Sequence, residues 1–399
     1  MSLRSTKALS FWFVAYALLM IMMGANIPAP LYSLYGEMWG FSSGVTSLLF
    51  MIYVVFLVPA SLIFGQLSDR IGRKKILLIG VIVAAAGSLL FALSQNVGML
   101  MASRAVQGIG VGAVNGTAIA ALSELRPDKR KLAALAASVS IAIGTASGPL
   151  YSGLLAEYSA SPVRLPYYLH LLLILPALLG VLTMPETALA AAKTAVRLRR
   201  PGVPAVIRKP FFIAACSSII AWTVAVFFMS LAPSTIAAQL HIHNFALSGA
   251  VVCLMLGSST ISQISLKSRS IRSAKLLGFM LLITGIAGFV SALHSHSLAL
   301  LLLSTVLAGA GHGPVSAGSM QMINEISPPE TRADVMSSFY AVTYLGAGLP
   351  VLILGFGAER IGFLPAILIY SGLVVIAAIA LAGIVHRYFR RSKYAAQEA

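Results

Sequence analysis

Apolar runs of about 20 residues, the length a helix needs to cross bilayer hydrocarbon, follow one another along the whole chain. Each run is closed by a short polar or glycine-bearing break. The runs fall at 11–36, 45–68, 75–94, 98–124, 131–158, 164–184, 209–240, 244–266, 274–294, 297–323, 331–357 and 360–387. This pattern predicts an all-α polytopic membrane protein with twelve transmembrane helices. The breaks are too short to hold a soluble domain.

The longest polar interruption runs from Lys193 to Lys209 and contains Pro201, Gly202 and Pro204. It divides the chain into an N-terminal six-helix half (1–187), a cytoplasmic linker (188–208) and a C-terminal six-helix half (209–399). An internal repeat supports the division. At an offset of 201 residues, Gly108, Gly110 and Gly112 match Gly309, Gly311 and Gly313. Glu124 matches Glu325, and Pro149 matches Pro350. Each half holds an even number of spans, so the two bundles share an orientation. They are expected to be pseudo-symmetric about an axis along the membrane normal.

Composition agrees with the pattern. Hydrophobic residues make up 58% of the chain and charged residues only 10%, whereas soluble domains carry about 25% charged residues. The net charge of +17 is explained by topology. Of the 28 Lys and Arg, 25 fall on segments that are inside if the N-terminus is inside. That asymmetry places both termini in the cytoplasm of a plasma (inner) membrane. It leaves no contiguous basic face interleaved with aromatics, so no nucleic-acid partner is expected. Cys216 and Cys253 both lie within spans, which excludes a disulfide framework or a cysteine metal site. Arg4 and Lys7 precede an apolar run too long for a cleaved leader, so the first helix is expected to be retained. No nucleophile, base and acid group together at a membrane face. The reading is therefore not an enzyme, with no cofactor and no metal.

The strongest local signal joins spans two and three: Gly65-Gln66-Leu67-Ser68-Asp69-Arg70-Ile71-Gly72-Arg73-Lys74-Lys75. A loop needing only positive charge would explain the cations but not the Gly-Asp-Gly spacing. Gly65 is expected to permit close helix approach and Gly72 a tight turn. Asp69 stands alone among four cations, placed to make contacts that one conformation keeps and another breaks. The stretch resembles the signature loop of the major facilitator superfamily, and Gly65, Asp69, Arg70, Gly72, Arg73 and Lys74 are its expected gating residues. Arg104-x-x-Gln107-Gly108-x-Gly110-x-Gly112 resembles the superfamily's fourth-helix motif. Gly144, Gly148, Pro149 and Gly153 resemble its fifth-helix antiporter motif, with Ser152 where a glycine is usual. The resemblance implies a cavity lined by spans one, four, seven and ten, opening alternately to each side. It also implies kinship with the twelve-spanner drug:proton antiporters, hence proton-coupled efflux of small amphipathic compounds or drugs. Its partners are then a small-molecule substrate, protons and the lipid bilayer, with the chain working as a monomer. The alternative is a carrier for a sugar, amino acid or other metabolite.

Arg104 and Gln107 are expected to serve proton coupling, with snorkelling of Arg104 toward the outer surface as the plainer reading. All eleven acidic residues lie at helix ends, in loops or in the tail. Asn26 stands in span one where a carboxylate is expected of a cation exporter. His312, among glycines in span ten, is therefore the next proton carrier to weigh, against a neutral hydrogen-bonded histidine in a helix interface. His170 in span six reads as core. Asn26, Tyr32, Asn115, Trp222, Phe228, Gln321, Asn324 and Tyr344 are the expected substrate contacts on the cavity-lining spans. Each of these, taken singly, also fits simple packing.

Overall fold

The computed structural model describes residues 3–188, 202–240 and 243–395. Among them there are α-helices and two short 3-10 turns, with no strand. Twelve helical spans are long and apolar enough to cross a membrane. In order they are Lys7–Trp39, Ser43–Ile71, Arg73–Ala92, Val97–Leu125, Pro127–Tyr158, Leu165–Thr183, Ala205–Ser230, Phe245–Ser265, Ile271–Ser295, Leu298–Ile326, Asp334–Ile361 and Phe363–Arg390. Large apolar side chains stand open on their outer faces, as at Leu172, Leu179, Leu373 and Ile376. Lipid accepts such side chains where water would not.

Spans one and seven are not the continuous helices their hydropathy suggests. Span one is broken at Ile27, between the helices Leu3–Asn26 and Pro28–Trp39. Pro28 and Pro30 have no N–H to donate, so the carbonyls one turn earlier lose their helical partners. The segment expected at 209–240 likewise divides at Leu231, into Arg208–Ser230 and Ala232–Leu240, with Pro233 just beyond the break.

Contacts divide the chain into two compact units. The first comprises Met1–Phe41, Leu48–Leu198 and Asn244–Cys253; the second comprises Ser42–Ser47, Arg199–His243 and Leu254–Ala399. Relative to a boundary at 187, the short segments Ser42–Ser47 and Asn244–Cys253 each group with the other unit. Most of the expected linker, 189–201, lies outside the described residues.

Each unit carries the same glycine-lined packing. In the first, a Cβ on Gly108 or Gly112 meets the backbone of span two at Tyr53, Leu57 or Ser61, and one on Gly110 meets Ala84 of span three. In the second, Gly309 and Gly313 face Met255 and Ser259 of span eight, and Gly311 faces Leu282 of span nine. The duplicated glycines are thus duplicated helix crossings, where small residues let backbones approach closely. A Gly110→Leu variant is expected to lose stability on the order of 1–3 kcal/mol through forced backbone shifts. Gly116→Ala, at a position open to space, is expected to leave stability unchanged. Thermal unfolding of the detergent-purified variants measures both.

Candidate functional site

In the first unit, buried polar side chains converge on the break in span one. Pro28 leaves the Gly24 carbonyl without its helical donor, and Gln107 Nε2 donates to it at 2.7 Å. Arg104, only 3% exposed, donates through Nη1 to Ala25 O at 3.0 Å and through Nε to Leu49 O of span two at 3.3 Å. Nη1 also meets Gln107 Oε1 at 2.5 Å. The guanidinium lies 4.5 Å from the Tyr53 ring centroid and 5.9 Å from that of Tyr32. Ser152 Oγ donates to Ile27 O at 2.7 Å, so the serine that replaces the motif's usual glycine serves the same break. Gly144 and Gly148 bring span five onto Leu19, Met22, Met23 and Asn26 of span one. His170 bonds Ser88 Oγ and Met20 O, each at 2.9 Å, and fills the space beside Gly24. Both of its nitrogens are engaged, as a core histidine requires.

At the opposite end of the same unit, Arg73 is the hub of a charged network. Its side chain, 13% exposed, pairs with Asp69 at 2.5 Å and with Glu124 at 3.1 Å. It also donates to Ser68 Oγ at 2.5 Å. Gly72 has φ +108°, a conformation open to glycine but strained for other residues. Glu186, at the end of span six, occupies the space a Gly72 side chain would take. Its carboxylate accepts from the backbone N–H of Arg73 at 2.8 Å and of Lys74 at 3.3 Å. It thereby caps the N-terminus of span three, where orphan donors and the helix dipole favour an anion. Thr187 Oγ1 closes the network by donating to Glu124 at 2.7 Å. The tight turn expected at Gly72 is present. The close approach expected at Gly65 is not, because nothing lies within 4 Å of its Cβ position; its carbonyl instead accepts from Ser68 Oγ at 2.8 Å.

The second unit repeats the scaffold without these charges. Thr305, in register with Arg104, only bonds back to Leu301 O within its own helix. Lys275 is wholly buried against Gly318, and its Nζ makes no hydrogen bond among the described residues. An aromatic cluster is this unit's own feature. His312 meets Trp222 edge-to-face at 5.0 Å, Trp222 meets Tyr344 at 5.5 Å, and Tyr344 stacks with Tyr340 at 6.0 Å. Trp222 Nε1 donates to Ser316 Oγ at 3.0 Å, and Ser259 Oγ lies 2.7 Å from His312 Nδ1.

The sequence profile of the Major Facilitator Superfamily matches residues 13–293 and 211–398. The chain belongs to that superfamily. An uncharacterised superfamily transporter of Mycobacterium tuberculosis is 34% identical over 183 residues, covering 45% of this chain and 23% of the relative. The quinolone resistance protein NorA of Staphylococcus aureus is 28% identical over 158 residues, covering 39% of this chain and 40% of NorA. The match therefore spans well under half the length of these curated relatives. Among solved structures, a bacterial homologue of the human lysosomal transporter Spinster superposes with a TM-score of 0.77 at 13% identity. That superposition covers 97% of this chain and 98% of the other. That likeness shows the major facilitator fold, and membership of the superfamily together with the twelve apolar helices supports a multi-pass membrane protein.

Within that fold, the expected substrate contacts separate into groups. Trp222 and Tyr344 come together in the second unit. Tyr32 is buried beside Arg104 with its hydroxyl unpartnered among the described residues, and Asn115 has a buried, unpartnered side-chain oxygen. Asn26 is spent on its own helix, donating to Met22 O at 2.8 Å. Phe228 is a correction: it is 1% exposed and packs with Phe227 and Phe289 in an aromatic core. Successive helical positions point about 100° apart, so a place on span seven does not by itself set which neighbours a ring meets. Gln321 is exposed and bonds Glu325 at 3.0 Å, and Asn324 is exposed beside it. Two contacts at these sites were not expected from the sequence: Glu186 on the Gly72 turn, and the bond from Ser152 to Ile27 O. The signal available for Glu186 was an acid at a helix end close in space to a glycine turn, which no local pattern discloses.

Proposed function

We propose that this transporter expels small amphipathic compounds in exchange for protons, by alternating access, as a monomer in a plasma membrane with both termini cytoplasmic. The observation that carries the reading is the packing of Gly144, Gly148 and Ser152 on the broken segment of span one. These positions form the face of span five that resembles the antiporter motif, and they meet the one place where span one has surrendered its own hydrogen bonds. A helix pair joined by close backbone contact and a few side-chain bonds can shift as a unit when the break rearranges. The partial likeness to a quinolone resistance protein supports the same reading. Asp69, Arg73 and Glu124 supply the contacts that hold one conformation.

Arg104 and Gln107 act first as a brace. Arg104 Nε and Nη1 and Gln107 Nε2 donate to carbonyls of spans two and one, which supports this role over snorkelling toward the surface. A second reading, a metabolite carrier without drug efflux, draws on the acidic residues, none of which lies at a span centre. Purified protein in proteoliposomes holding a trapped pH dye separates the two. Adding norfloxacin under an imposed proton gradient is expected to dissipate the gradient only where protein is present. Norfloxacin movement without proton flux, or neither, would overturn the exchange mechanism.

A further inference from the structure

The aromatic cluster of the second unit contains an unsatisfied hydrogen-bonding atom. His312 is 5% exposed, and its Nε2 has no hydrogen-bond partner among the described residues. The tautomer follows from Ser259. Among the described residues the Oγ of Ser259 bonds only His312 Nδ1, at 2.7 Å, while the Met255 carbonyl one turn back accepts from Ser258 at 3.1 Å. If Nδ1 carried the proton, the Ser259 hydroxyl would be left with a proton and nowhere to place it. With Ser259 donating to Nδ1, the imidazole is neutral and Nε2 carries an N–H. That N–H is a buried donor awaiting an acceptor, an unfavourable state that a bound acceptor would relieve.

The surroundings restrict what that acceptor belongs to. Trp222 and Tyr344 are half-buried and Tyr340 is exposed, and the rings run outward from the imidazole in the order Trp222, Tyr344, Tyr340. The Trp222 N–H is already spent on Ser316, which leaves its ring to act through apolar and stacking contact. Among the described residues, none of the cluster's hydrogen bonds or ring contacts involves a carboxylate. Glu325 pairs with Gln321, and Glu359 accepts from the Gly44 N–H at 2.9 Å. A cation brought here would find no counter-charge, and an unpaired charge in a membrane interior is costly. In register with His312 the first unit has Val111, so the imidazole is not part of the duplicated scaffold.

We infer that Trp222, Tyr344 and His312 form a binding site for an uncharged, planar aromatic compound bearing a carbonyl, stacked on the rings and accepting from His312 Nε2–H. The inference rests on the efflux reading only for the claim that this compound is then expelled. The binding site stands or falls by itself.

The test uses three probes of one shape: N-methylacridone, with a ring carbonyl; anthracene, with no acceptor; and N-methylacridinium, a cation. Binding to the full chain in lipid nanodiscs is measured by equilibrium dialysis against empty nanodiscs. N-methylacridone is expected to bind about tenfold more tightly than anthracene, the worth of one good hydrogen bond, and N-methylacridinium the most weakly. His312→Phe keeps a ring but removes the donor, and is expected to bring N-methylacridone down to the anthracene level while anthracene is unchanged. Ser259→Ala frees Nδ1 to take the proton and is expected to shrink the same preference with the imidazole still in place. This second variant keeps the test readable if His312→Phe folds poorly. An N-methylacridone preference unaltered in both variants, or a cation bound as tightly as the ketone, overturns the site. Probe discrimination that persists while norfloxacin drives no proton exchange leaves the site standing and removes the efflux reading alone.

Discussion

An Arg104→Ala variant is expected to reach the membrane and lose at least tenfold in substrate-driven proton flux, the kinetic counterpart of about 1.4 kcal/mol. The loss follows from what the guanidinium holds. Its removal strips donors from Ala25 O and Leu49 O and leaves Gln107 Oε1 unpaired. Each hydrogen bond to a charged group is worth about 1.5–3 kcal/mol, so the break in span one loses more than enough to change its geometry. Arg104→Lys is expected to recover little, because a single ammonium does not reproduce the guanidinium's spread of donors. The informative companion is Gln107→Leu. Gln107 carries no titrating proton, but it alone serves the Gly24 carbonyl that Pro28 abandons. A brace predicts that Gln107→Leu also transports poorly and lowers the unfolding temperature of the purified protein. Wild-type flux in Gln107→Leu beside an inactive Arg104→Ala would show instead that the charge of Arg104 is what transport requires.

Arg73→Ala is expected to be the most damaging single change in the Asp69–Arg73–Glu124 network, again by more than tenfold in transport. Arg73 is mostly buried and pairs with two carboxylates, Asp69 and Glu124, both of which lose that partner in the variant. Asp69 is 60% exposed. An ion pair of that exposure is worth at most about 1 kcal/mol after solvent screening. Asp69→Asn is therefore expected to cost only a few-fold in transport, with Glu124→Gln in between because Glu124 also anchors Thr187. Initial uptake rates at matched protein incorporation give the order. Equal damage from Asp69→Asn and Arg73→Ala would shift the weight of the gate from the Glu124 pair to the Asp69 pair.

Much of this molecule is legible along the chain because the bilayer enforces it locally. Span length, the inside bias of Lys and Arg, and the six-plus-six repeat each depend on residues close in sequence. The glycines at offset 201 were visible as a repeat, and their meaning as helix crossings needed only the rule that small residues admit close backbones. Gly72 was readable because a turn between two apolar runs demands it.

The partners of polar atoms were not readable in this way. That Arg104 and Gln107 serve carbonyls at Gly24 and Ala25, that Ser152 serves Ile27, and that Glu186 fills the space over Gly72 are matters of which atoms come within about 3 Å across different helices. Phe228 and Trp222 lie on the same helix, yet one closes an aromatic core and the other faces His312, a difference set by neighbouring spans. How many helices are long and apolar enough to cross, and that the two bundles repeat, can be read along the chain, since hydropathy responds to the solvent at each position. Where the buried charges and the His312 imidazole find or lack partners is left to the packing, because hydrogen bonding is short-ranged and directional and is settled only once helices distant in sequence lie side by side.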